Sequence, residues 1–157
     1  MAVKPIPDGY HTLTPYLVVD DTAKALDFYK KVFEAVELFR MPMPDGRIGH
    51  AEFKIGDSIV MLGDEMPEMN IKGPKSLGGT AVGMMIYVVD CDAIFNKAVA
   101  AGATVQQAPT NQFYGDRAGT VVDPFGHKWS IHTHIEDVPP DELARRAAEW
   151  GKKQASG

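Results

Sequence analysis

The chain has 157 residues, 45% of them hydrophobic and 24% charged, which fits one globular domain or two half-size modules and excludes disordered or fibrous classes. Lys and Arg number 16 against 21 Asp and Glu, a net charge of -5 with no densely basic stretch, so nucleic acid and anionic membrane are excluded as partners. The lone Cys91 cannot form an internal disulfide, no apolar h-region follows Met1, and no apolar run is long enough to cross a bilayer. These features predict a cytoplasmic protein.

Leu13–Val19 reads as a first strand closing on Val18-Val19-Asp20. Ala25, Leu26, Phe28, Tyr29, Val32 and Phe33 then recur at helical spacing, and Asp20 or Asp21 can cap that helix by accepting its free N–H groups. Strands are predicted at Glu37–Met41, Ile48–Ile55 and Ser58–Leu62, parted by the Pro42–Gly46 and Gly56-Asp57 turns. After a Gly- and Pro-rich linker the order repeats. Met84–Val89 ends on a second copy of the tripeptide, Val88-Val89-Asp90, with Asp90 or Asp92 as the cap. Ile94, Phe95, Ala98 and Val99 mark the second helix, and Gly102 its end.

Strands follow at Thr104–Gln107, then, past a long loop, at Ala118–Val122, and past the Asp123-Pro124-Phe125-Gly126 turn at Lys128–His134. A surface helix begins at Pro140, with Asp141 and Glu142 in its first turn and Leu143, Ala147 and Trp150 on one stripe; the last seven residues read as a frayed tail. The expected fold is α+β: βαβββ modules over about 10–66 and 83–137, a linker over 67–82, and a C-terminal helix over about 139–150.

The element order, with VVDDTAKALDFYKKVF early and YGDRAGTVVDPFGHKWSI late, resembles the vicinal oxygen chelate superfamily. That superfamily holds glyoxalase I, the bleomycin and fosfomycin resistance proteins and the extradiol dioxygenases. The likeness runs from Tyr10 to Asp137, and its most specific part is the aromatic-Gly-x-Arg…Asp-Pro-x-Gly run from Tyr114 to Gly126. It implies modules whose sheets pair into a curled, half-open barrel around a small-molecule cleft, and a homodimer. Metal-using relatives draw one ligand from the first and last strand of each module, typically two His and two carboxylates. Carried over one at a time, those positions are Thr14, Met61, Met84 and Ser130. Two hydroxyls and two thioethers are poor ligands for a hard or borderline divalent ion, so the resemblance with this departure implies no metal and no cofactor. The methionines suit an apolar or aromatic ligand, or else plug the core.

Other residues keep two readings each. His50 and Glu52 alternate on one strand, as do His132 and His134 on another, with Ser130 in the His132 parity. They mark the wet faces of strands, or His50, Glu52 and His132 form a displaced metal site of a lyase, isomerase or dioxygenase. Arg117 either orients an anionic or carbonyl ligand with its forked donors or pairs with Asp116, Asp123 or Glu136. Phe113 and Tyr114 can line the cleft mouth. His11 and His127 read as loop and solvent-facing residues, Trp129 as core, Asp123 as an acceptor within its own turn, and Arg40 and Arg47 as solvated. Cys91 falls at a helix start, where a thiol pKa can be lowered. The site expected from the sequence is therefore ligand-binding, through Thr14, Met61, Met84, Tyr114, Arg117, Ser130 and His132.

Overall fold

A computed structural model describes residues 3–157. It resolves two compact units, one of residues up to Ala81 together with the Asp123–His127 turn, the other of Val82–Val122 with Lys128–Gly157. The fold is α+β with a C-terminal helix.

In the first unit β1 (Tyr16–Val19) leads to α1 (Thr22–Phe33), then β2 (Val36–Pro42), β3 (Ile48–Ile55) and β4 (Ser58–Asp64). The sheet order is β1-β4-β3-β2, with β1 parallel to β4 and the other pairs antiparallel. Amphipathic α1 buries Ala25, Leu26, Phe28, Tyr29, Val32 and Phe33. Tyr29 stacks on Phe53 of β3 at 4.9 Å between ring centroids. The same Tyr29 donates its hydroxyl to Asp123 at 2.7 Å, and Asp123 also accepts from the N–H groups of Phe125 and His127, both at 2.9 Å. The turn is thereby closed on its own carboxylate, as its composition suggests. His127, expected to face solvent, is buried, with Nε2 2.9 Å from the carbonyl of Val18.

The second unit repeats the path through β5 (Gly83–Tyr87), α3 (Cys91–Ala100), β6 (Thr104–Asn111), β7 (Asp116–Val122) and β8 (Lys128–His134), in the order β5-β8-β7-β6. Trp129 and Ile131 are buried on the face that carries α3. The linker holds a 3-10 turn at Pro67–Met69 and the short α2 (Pro74–Leu77).

Three expectations are corrected, and the choice of helix caps is settled. β1 begins at Tyr16 rather than Leu13. β6 runs to Asn111 instead of yielding to a long loop after Gln107. Its two register shifts accommodate a strand with Pro109 inside it, at a sheet edge where a missing N–H costs no ladder bond. α4 (Pro140–Ala155) continues through the supposed frayed tail, with Lys152 and Lys153 in its last turn where positive charge suits the helix dipole. The caps are Asp21 and Asp90, whose side chains accept from Lys24 N and Ala93 N at 3.0 Å. The two tripeptide copies are thus one residue out of structural step: Val19 is fully buried while its string counterpart Val89 is 95% exposed.

Candidate functional site

Alternation places one set of side chains in the first unit away from α1. The register pairs Tyr16 with Met61, Met61 with Glu52, Glu52 with Phe39 and His50 with Met41. A polar chain crosses this face. The Tyr16 hydroxyl lies 3.2 Å from His50 Nδ1, and His50 Nε2 is 2.9 Å from Glu52 Oε1. The Tyr10 hydroxyl, reaching back from the segment before β1, donates to Glu52 Oε2. Burial pushes the Glu52 pKa up, but the hydrogen bonds from His50 and Tyr10 outweigh it and hold the carboxyl below its ordinary value. The same bond raises the Tyr10 phenol.

Beside this chain lies a cavity of about 450 Å³. Pro5, Ile6, Pro7 and Met61 give it apolar walls, while Tyr10, Thr14 and Glu52 supply polar ones. Thr14 and Met61, both expected from the sequence, therefore share one cavity. His11 also lines it, anchored by Nε2 at 3.1 Å from the Asp57 carbonyl. Its volume is that of a small-ligand pocket, and a few polar groups among apolar walls are the usual means of fixing a ligand's orientation.

The second unit carries a different network on the face away from α3. Ser130 Oγ is 2.8 Å from His132 Nε2, and His132 Nδ1 is 2.9 Å from Asp116 Oδ2. Tyr87 donates to the same Asp116 oxygen at 3.1 Å, while His134 Nδ1 reaches Asp116 Oδ1 at 2.8 Å. Burial pushes the Asp116 pKa up, yet the hydrogen bonds from His134, His132 and Tyr87 prevail and keep its carboxyl ionised below the usual range. Asp137 and then Asp116 raise the pKa of His134. Tyr114 stacks near His132, at 6.4 Å between ring centroids and 26° between planes. Between Tyr114 and Asp116, Gly115 has φ +99°, and a Cβ there would meet the Glu136 carbonyl oxygen at 2.2 Å; only glycine admits this close approach.

Two expected ligand-binding residues do not belong to this face. Met84 pairs with Trp129, so it shares the helix-side parity, and Met85 is the residue level with Ser130. The cause is the one-residue step between the tripeptide copies, since a slip of one exchanges the two faces of a strand. Arg117 pairs with Thr133, whose hydroxyl accepts from Cys91 N at the start of α3. Its guanidinium grips Asp92 through Nε at 2.6 Å and Nη2 at 2.8 Å, and Asn111 through Nη1 at 3.0 Å. This is an ion pair, though with none of the three anticipated carboxylates. Glu136 is instead held by Arg146, Asp123 by its own turn, and Asp116 by two histidines. Arg40 pairs with Glu37 and Arg47 with Asp45 and Glu68. Cys91 is buried, and burial pushes its thiol pKa up rather than down.

Tyr10, Tyr16 and Tyr87 were not singled out in the sequence, and Asp116 was named there only as an ion-pair candidate for Arg117. Asp116 carried a signal: three residues of one parity, Asp116, Ala118 and Thr120, stand opposite His134, His132 and Ser130 once β7 and β8 are paired across their turn.

The donors at the carried-over positions are the Thr14 hydroxyl and Met61 thioether in one unit and the Ser130 hydroxyl in the other, where the Met84 thioether lies on the helix-side parity. Among the described residues, no three His, Cys, Asp or Glu side chains are gathered to hold a metal ion. His50 and Glu52 are bonded to each other, and His132 to Ser130 and Asp116. Neutral hydroxyls and soft thioethers do not fit a divalent metal centre.

The family model described as Glyoxalase/Bleomycin resistance protein/Dioxygenase superfamily matches residues 10–131. The uncharacterized protein Mb0911c of Mycobacterium bovis is 48% identical over 142 residues, covering 88% of this chain and 93% of its own. Among solved structures, TioX from Micromonospora sp. ML1 is 28% identical with a TM-score of 0.60, covering 80% of this chain and 99% of its own. The fosfomycin resistance protein FosX from Listeria monocytogenes, at 14% identity and a TM-score of 0.64 over 85% of this chain and 97% of its own, shares the fold. Among the described residues no helix is long and apolar enough to cross a membrane.

Proposed function

Because the chain belongs to the Glyoxalase/Bleomycin resistance protein/Dioxygenase superfamily, we propose that it is a binding protein that sequesters a small apolar or aromatic compound without a divalent metal. One observation carries this reading: Thr14 and Met61, which the family resemblance carries over from the ligand positions of metal-using relatives, line a cavity of about 450 Å³ with apolar walls. Thioether and ring contacts hold such a compound by dispersion and desolvation, and the Tyr10–Glu52–His50 chain orients any polar group it bears. Ser130, His132 and Tyr114 serve as further ligand contacts on the second unit. The working form is a cytoplasmic homodimer. Its assembly is supported by edge strand β2, which exposes Val36, Leu38, Phe39 and Met41.

Titration calorimetry tests the reading with zinc, manganese, nickel and ferrous salts, and with a panel of aromatic dyes of matched size. The expected outcome is saturable dye binding that Met61→Glu weakens by about tenfold or more, with no tight one-to-one metal uptake. Tight stoichiometric metal binding would overturn it, as would dye binding indifferent to Met61. Sedimentation of the purified protein checks the dimer.

A further inference from the structure

We propose that Ser130, His132 and Asp116 form a hydrolytic triad on the second unit, with Ser130 the nucleophile toward small carboxylic esters bearing an apolar acyl group. The contacts run in the order acyl transfer requires. Asp116 is ionised, so it accepts, and His132 Nδ1 at 2.9 Å must carry the proton. In the neutral ring Nε2 is then an acceptor, and the Ser130 hydroxyl 2.8 Å away is its donor. Asp116 is further fixed by Tyr87 and His134, so the imidazole is held in one tautomer and one orientation. Such a constellation is recognised by geometry and roles rather than by chain order or fold.

The surroundings favour the substrate named. Register places Met85 beside Ser130 and Tyr87 beside His132, and both are solvent-exposed, at 61% and 62%; Tyr114, stacked near His132, is partly exposed too. These offer an apolar surface next to a half-buried hydroxyl. Thr120 Oγ1, 3.4 Å from Ser130 Oγ, is placed to donate to an oxyanion forming there. In the reaction the Ser130 oxygen bonds to the ester carbonyl carbon and its proton passes to His132 Nε2. The carbon–alkoxide bond breaks as His132 returns that proton to the leaving oxygen. Water, deprotonated by His132, then bonds to the acyl carbon, and the bond from that carbon to the Ser130 oxygen breaks as His132 returns the proton to Ser130, releasing the free acid.

A fluorophosphonate probe tests the assignment, since it forms a Ser–phosphorus bond, expels fluoride and leaves the serine proton on the histidine. Intact protein is labelled and the adduct located by peptide mass spectrometry. The proposal expects one adduct on Ser130 in the native protein, none in Ser130→Ala, none in protein unfolded in urea, and labelling at least about 100-fold slower in His132→Gln. No adduct on Ser130 in the native protein would overturn it, as would an unchanged rate in His132→Gln. Should His132→Gln fail to fold, native against urea-unfolded labelling decides alone, and equal labelling of the two overturns the proposal.

Discussion

Away from its helix, the first unit sets His50 beside Glu52 with side chains 24% and 13% exposed, whereas the second sets His132 beside Asp116 at 2% and 5%. The first pair sits on a single strand, two residues apart on β3, and opens beside a cavity. The second spans two strands, β8 and β7, and is closed over by Tyr87 and Tyr114. One chain path thus supports two kinds of polar chemistry. The accessible network can exchange its partners for a ligand's, while in the other the His132–Asp116 pair is buried and held rigid and only the half-buried Ser130 hydroxyl can meet a substrate.

That contrast can be broken experimentally. The largest effect is expected from Asp116→Ala, which leaves two histidines and Tyr87 without their acceptor; urea unfolding should show a loss of about 3–5 kcal/mol. A loss below about 1 kcal/mol would make the two networks equivalent. Next comes the register: Met84→Ala should cost about 1–2 kcal/mol and exposed Met85→Ala no more than about 0.5 kcal/mol, in the same assay. Glu52→Gln in the open network should cost about 1 kcal/mol, while changing dye affinity measurably.

The smallest effect is the pH dependence. His134 has a raised pKa in the folded protein, so its stabilisation is fully present below its ordinary value of 6.5 and is lost as pH rises through the higher folded one. Asp116 and Glu52 are lowered, so theirs is present above the ordinary carboxylate values and lost as pH falls through the depressed ones. Thermal melts should therefore lose a small increment on the alkaline side in wild type but not in His134→Asn.

Much of this architecture was legible because local signals agreed. β3 and β8 fall at the expected residues, since alternation is bounded by turn chemistry on both sides, and the Asp123 turn closes as its composition requires. What escaped was register. Whether Asp20 or Asp21 caps α1 is a choice between adjacent residues of one type, and it sets the offset by which positions of one repeat are carried to the other; the pairing of β5 with β8, which puts Met85 level with Ser130, has no local signal. Contacts across strands escaped for the same reason. Asp116 meets His132 only through the pairing of β7 with β8, and Tyr10 meets Glu52 across 42 residues of chain. Arg117 went astray because parity alone does not say which sheet face carries the helix.

Elemental analysis of the purified native protein bears most directly on the central claim, that hydroxyls and thioethers have taken the positions where metal-using relatives keep their ion. Zinc, manganese, nickel and iron should each fall well below one atom per chain, with the dye-binding capacity intact after chelation. A metal content near one per chain, lost together with dye binding when a chelator is added, would contradict it.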